Sequence, residues 1–334
     1  MRAWVLGKPG PIESAPLLLR ELPDPAPGPG EVCVDVAVCG LCRTDLHVVE
    51  GELAPRRPAI VPGHQVVGRV SALGAGARRF ALGARVGVAW LWRACGACAY
   101  CARGAENLCR APTFTGWHVN GGYAERVCAP EAFVYPLPDA LADDASVAPL
   151  LCAGIIGLRA LHRSGIRPGG RLGLYGFGSS AHIALQIARH QGTRVFAVTR
   201  EASHRELARS LGAEWAGDLG EAPPEPLDAA VLFAPAGTLV PVALAALAPG
   251  GTLACAGIHM SAIPSLDYAA HLFEERTLTS VTANTRADGR ELLELAARIP
   301  LRPRVTELPF ARANEGLLGL KRGLSAGSTV LRVR

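Results

Sequence analysis

The sequence predicts an α/β chain, a β-rich part followed by a doubly wound parallel sheet, within 334 residues. Three observations predict it. EVCVDVAVCG and VVGRVSALG alternate apolar and polar residues, with Pro and Gly between them, inside residues 1 to 90. After Pro149 the pattern changes to apolar runs alternating with segments of helical period, which is how parallel βαβ units read. Between one such run and its helix stands a glycine turn, Gly176-x-Gly178-x-x-Ala181.

The totals set limits on function. The length suits about two domains, and 49% hydrophobic residues can supply a large core. Lys+Arg 34 against Asp+Glu 29 leaves +5, spread along the chain. That excess suits a small anionic ligand better than nucleic acid, which asks for a basic stripe. Ten cysteines could suggest a secreted disulfide protein, but disulfide-dense chains are typically short, so the thiols are expected to be reduced. MRAWVLGKPGPIE has no apolar h-region, and no signal peptide is expected. The uncharged run Ala229 to Leu266 is interrupted by Pro235, Gly237, Pro241, Pro249, Gly250 and Gly251. It reads as strand, turn, buried helix, turn and strand, not as a membrane span. A cytoplasmic chain with no nucleic-acid or membrane partner is expected.

Taken in order, Pro23, Pro25, Pro27 and Pro29 form a stiff connector ahead of the first long strand. Cys39-Gly40-Leu41-Cys42-Arg43-Thr44-Asp45-Leu46-His47 and Pro62-Gly63-His64-Gln65 then offer a thiolate and an imidazole, read as lying on loops of the β part. Cys152, in LLCAGIIG, is a third candidate. Two cysteines and one histidine with an open fourth position can form a catalytic zinc site. Between them CGACAYCARGAENLC places Cys95, Cys98, Cys101 and Cys109 at C-x2-C-x2-C-x7-C. Four thiolates in one loop close a tetrahedron around zinc and leave no open position, so that zinc is expected to be structural.

In the second half, Leu174 and Tyr175 lead into the glycine turn. Gly176 permits the tight turn, and Gly178 lets backbone approach a pyrophosphate at the helix N-terminus, where N–H groups and dipole favour anions. Ala181 is within the allowed pattern. TRVFAVTR is the next strand. Where folds that prefer NAD place an Asp or Glu for the ribose 2′-hydroxyl stands Thr199, followed by Arg200. A guanidinium without a carboxylate accommodates a 2′-phosphate, so NADP(H) is expected over NAD(H). LDAAVLFAPAG, VPVALAALAPGG, TLACAGIHMS and LTSVTANT continue the units. GRELLELAAR and FARANEGLLGLKRGLSAG read as helices and STVLRVR as a closing strand.

CGLCRTDLH, PGHQVVGRV, the four-cysteine loop, GGYAE, LLCAG and GFGSSA, in that order, resemble the zinc-dependent alcohol dehydrogenases of the medium-chain dehydrogenase/reductase superfamily over the whole chain. The resemblance implies a GroES-like catalytic domain (1-152), a Rossmann dinucleotide-binding domain (153-284) and a return to the catalytic domain (285-334). It implies Cys42, His64 and Cys152 as catalytic zinc ligands, with Cys39 a buried neighbour. Thr44 would contact the zinc-bound alcohol, and His47 would pass its proton to solvent. Asp45 would orient His64, and Arg43 would meet the cofactor pyrophosphate. Trp90 and Trp117 are candidate walls of the substrate pocket.

Three positions depart from the pattern. Gln65 replaces a glutamate, Ile156 sits where many relatives have a nicotinamide-contacting threonine, and Ser328 sits near the place of an arginine. The implied activity is reversible hydride transfer between an alcohol and an aldehyde or ketone, with two zinc ions per chain. A homodimer or homotetramer joined near LTSVTANT is expected. The alternatives are a non-catalytic dinucleotide-binding relative, which should have lost ligands, and a zinc-free quinone or enoyl reductase, which would not need them.

Overall fold

In the computed structural model, which describes residues 1–324 and 326–334, the strand Glu31–Leu41 is the centre of the first of two units. It pairs antiparallel with Val66–Leu73, Arg126–Pro130 and Ser328–Arg332. Among the described residues its sheet runs Val305–Pro309, Ser328–Arg332, Glu31–Leu41, Val66–Leu73, Arg85–Val88, Val134–Pro136. The alternation in EVCVDVAVCG predicts a half-buried strand. Instead nearly every residue from Val32 to Leu41 is inside. Neighbours cover the strand on several sides, and register shifts after Cys33 and Val36 turn successive side chains inward. Val32, Val34, Val36, Val66, Val86 and Val88 form the core with Leu46, Val49 and Leu317. The unit comprises Met1–Cys152 and Asn284–Arg334, the chain returning one residue before the expected position 285.

Cys33 and Cys128 stand directly opposite across the antiparallel pair and are joined by a disulfide. The expectation of reduced thiols throughout is corrected at this pair. The argument from chain length addresses disulfide-dense scaffolds and is silent on one cross-strand contact between residues 95 positions apart.

The second unit, Ala153–Ala283, is a parallel sheet in the order Trp215–Gly217, Arg194–Val198, Arg171–Tyr175, Leu227–Leu232, Leu247–Cys255, Thr277–Ser280. Numbered along the chain this is 3-2-1-4-5-6, the doubly wound dinucleotide-binding order. Helices Ser179–His190 and Leu239–Ala245 follow strands one and four. Phe196, Val198, Leu232, Leu244 and Leu253 lie within its core. The run Ala229 to Leu266 contains a strand, a short helix and a strand as expected. Among the described residues no single helix is long and apolar enough to cross a membrane.

Candidate metal centres and cofactor turn

The motif around Cys42 is a helix and not a loop. Arg43–Glu50 is helical, with Cys42 as N-cap and Gly51 closing it at φ 83°. The N-cap is a thiol in place of the more familiar hydroxyl, while Asp45 supplies the carboxylate at the third helical position. The Cys42 amide donates to Asp45 at 2.9 Å. The other Asp45 oxygen accepts from the Gly63 amide at 3.1 Å and from His64 Nδ1 at 2.9 Å. The Tyr123 hydroxyl adds a fourth donor at 3.1 Å. Asp45 is thereby buried at 2% exposure with its charge fully hydrogen-bonded, and it holds Nδ1 of His64 protonated, so that Nε2 is the nitrogen facing Cys152.

His64 Nε2 lies 3.2 Å from Cys152 Sγ, and Cys42 Sγ lies 3.9 Å from Cys152 Sγ. Zinc–sulfur bonds of about 2.3 Å in a tetrahedron set sulfurs roughly 3.8 Å apart, so the donor set fits the ion. All three ligand atoms fall within 4.8 Å of one another. Contact with Cys152 holds the Cys42 thiol well below its ordinary range, and the same contact pushes Cys152 above it. Burial works against an imidazolium at His64, but the Asp45 carboxylate outweighs it and pushes the ring up to about 10. A cation at Nε2 therefore meets a basic imidazole backed by a carboxylate.

Around this cluster Cys39 is fully buried, its thiol pushed up by burial. Thr44 Oγ1 lies 3.8 Å from Cys42 Sγ. Gln65 is buried and packs over Gly40, where a Cβ would come within 2.4 Å of Gln65 Oε1. Trp90 meets the His64 ring edge-on at 4.9 Å and stacks on Phe114 and Trp117 at 4.9 and 6.0 Å. The Trp117 indole donates to the Ala54 carbonyl at 3.0 Å. Arg43 is exposed on the first helical turn. Ser328 is buried in its strand, its amide on the Arg304 carbonyl at 2.8 Å.

The four-cysteine loop is a second donor set, all four sulfurs within 4.8 Å. Cys95 and Cys101 sulfurs are 3.9 Å apart, and Cys98 and Cys101 sulfurs 3.6 Å, again the edge of a zinc tetrahedron. Backbone amides point at the sulfurs, Cys95 and Ala111 at Cys109 and Cys98 at Cys95. Backbone N–H groups of Cys101 and Arg110 bring Cys98 down to about 6, whereas desolvation pushes Cys101 up to about 12. An ion pair that sequence reasoning missed anchors this loop. Glu106 accepts from Arg286, 180 residues on, through its side chain and its amide.

In the second unit Gly176 turns at φ 83°, where a Cβ would come within 2.8 Å of the Ala234 amide. Gly178 caps the helix Ser179–His190, and its Cβ position faces open space. Ala181 is fully buried. The turn thus exposes helical N–H groups to a phosphate. Ile156 is half-buried on the helix Ala153–Ser164. Thr199 is buried at the strand end, and Arg200 beside it is 78% exposed. The sequence reading overlooked Glu201. Its carboxylate accepts from Arg200 at 2.7 Å and lies 3.5 Å from Thr199 Oγ1.

A donor set of zinc-ligand type in the first unit and a dinucleotide turn in a 3-2-1-4-5-6 sheet are together the features of the dehydrogenase class. Comparisons with known proteins give the family. Residues 28–139 match the alcohol dehydrogenase GroES-like domain and residues 181–298 the zinc-binding dehydrogenase domain. A probable alcohol dehydrogenase of Mycobacterium tuberculosis is 51% identical over 99% of this chain and 97% of its own length. An alcohol dehydrogenase of Geobacillus stearothermophilus is 37% identical over 95% of this chain and 96% of its own. A thermostable alcohol dehydrogenase of Pyrobaculum aerophilum, solved with cobalt and zinc, superposes with TM-score 0.91 at 25% identity, covering 100% and 99% of the two chains. The chain belongs to the zinc-type alcohol dehydrogenases of the medium-chain dehydrogenase/reductase superfamily. Its reaction class is that of an oxidoreductase acting on a small-molecule alcohol.

Proposed function

We propose that the chain interconverts an alcohol and its aldehyde or ketone using zinc at Cys42, His64 and Cys152, with NADP(H) favoured over NAD(H). The observation that carries this is the convergence of those three donors with Asp45 locked behind His64. Zinc in that site would supply a Lewis acid for the substrate oxygen, and the nicotinamide would accept or return the hydride. Thr44 and His47, three residues apart on one helix, share a face and are suited to move the hydroxyl proton outward. Trp90, in edge contact with His64, would form the wall for the substrate carbon chain, and Trp117 would extend it. Cys95, Cys98, Cys101 and Cys109 would hold a second zinc that orders their loop.

Arg43, Gly176, Gly178, Ala181, Thr199, Arg200 and Ile156 are the proposed cofactor contacts. The NADP(H) preference rests on Thr199 and Arg200, and Glu201 is the group that opposes it. A homo-oligomer joined along the edge strand Thr277–Ser280 and a cytoplasmic location complete the reading.

Cys42→Ser and His64→Ala should each lose one of two zinc ions and nearly all alcohol-dependent NAD(P)H formation, measured by metal analysis and absorbance. Full activity in the metal-depleted variants would remove zinc from the chemistry. No zinc in the purified protein would favour the zinc-free reductase reading.

A further inference from the structure

The helix Arg43–Glu50 ends in a turn that folds the next residues back on its last coil. Gly51 closes it in the left-handed region, its amide on the Val48 carbonyl at 3.3 Å. The Leu53 amide then returns to the His47 carbonyl at 3.1 Å. This geometry sets the Glu52 carboxylate on His47 Nδ1. The imidazole is 6% exposed and the carboxylate 43% exposed, so the pair runs from the interior to the surface. A carboxylate only accepts, so Nδ1 carries a proton, and in the neutral ring Nε2 then holds the lone pair.

Of the other charges near the helix, Arg43 is exposed on the first turn, and three carboxylates are engaged. Asp45 holds Cys42, Gly63, His64 and Tyr123. Glu50 accepts from the Ile12 amide and from Lys321 of the packed helix Ala313–Lys321. Glu13, of the turn that also packs there, holds Lys321 as well.

We propose that Glu52 is a positioning residue for the proton path, fixing the His47 tautomer and taking the proton on to water. The inference rests on the zinc alcohol dehydrogenase reading above. In the oxidation direction the hydroxyl proton arrives at His47 Nε2 from the Thr44 side of the helix. The imidazolium is stabilised by Glu52, its Nδ1 proton leaves to that carboxylate, and the carboxylate releases it to solvent. The electron pair leaves separately with the carbon-bound hydrogen as hydride, so the alcohol loses one proton and one hydride. Glu52 needs no oxidant of its own.

The test has two arms on the zinc-loaded protein. Nitrogen-15 NMR of histidine-labelled enzyme, with His47 assigned by loss of its signals in His47→Gln, should show Nδ1 protonated and Nε2 bare. Glu52→Gln should lower kcat for alcohol oxidation about tenfold, with KM changed by less than about twofold. Glu52→Asp should restore kcat. An unprotonated Nδ1 in the wild type, or an unchanged kcat in a folded Glu52→Gln protein, would overturn the proposal. The NMR arm reads the wild type and so holds even where a variant fails to fold. A wild type inactive with every alcohol removes the underlying reading, whereas an active wild type with kcat unchanged in Glu52→Gln removes only the role of Glu52.

Discussion

Asp45 concentrates four hydrogen bonds on one buried carboxylate, and the donors come from three places in the chain, Cys42, the adjacent Gly63 and His64, and Tyr123. Its partnership with His64 is carried by the family resemblance. The Gly63 amide and the Tyr123 hydroxyl are not, because nothing local to GGYAE says where the ring goes. Gly63 sits at φ 95°, and a Cβ there would meet the Tyr123 ring at 2.4 Å. Gly63→Ala should therefore cost about 3 kcal/mol by strain and overpacking together, read by urea unfolding. A cost under about 1 kcal/mol would mean the ring moves freely, and the Asp45 network with it. Glu201 is a second residue that the sequence reading passed over. Its carboxylate occupies Arg200, so Glu201→Gln should raise the NADPH-to-NADH ratio of kcat/KM by about tenfold, the scale of one charge-assisted contact. An unchanged ratio would show that Arg200 does not meet the 2′-phosphate.

At the scale of elements, the cysteine loop is legible from spacing alone, because its four thiols lie within fifteen residues of chain from Cys95 to Cys109. Its tether is not, because Arg286 reaches Glu106 from the helix Arg286–Arg298. Burial raises the Glu106 carboxyl, but the Arg286 guanidinium more than offsets this and holds it below its ordinary range. A depressed folded-state pKa means stability present above the unfolded value near 4.5 and lost as pH falls through the folded value. The thermal midpoint should thus fall on acidification below about pH 5 more steeply in the wild type than in Glu106→Gln. At pH 7 the variant should be less stable by about 2 kcal/mol. Parallel acid curves for the two proteins would remove the ion pair from the stability of the loop. The helix Arg43–Glu50 was read as a loop because an eight-residue helix opening on cysteine lacks the usual hydroxyl cap.

At the scale of the molecule, the parallel sheet of the second unit ends on Thr277–Ser280, and Tyr268 and Phe273 nearby are each 66% exposed. An open edge strand flanked by exposed aromatic rings is a surface that monomers usually cover. Sedimentation should give a dimer or tetramer, and Phe273→Glu should shift it toward monomer. A monomeric wild type at micromolar concentration would sink the expected assembly.

By itself the sequence determined the order of the two units, the parallel sheet and the glycine turn, and it marked both sets of candidate metal-ligating residues. Each is written in residue type at short spacing or in a long ordered run of motifs. Tertiary structure alone decided the Gly63 and Tyr123 partners of Asp45, the grip of Arg286 on Glu106, the Cys33–Cys128 bridge, the engagement of Arg200 by Glu201 and the contact of Glu52 with His47. The long-range pairs arise from strand register and helix placement across tens to hundreds of residues. The two short-range pairs depend on the φ of a single turn and on rotamers. Neither cause leaves a periodic mark in the chain.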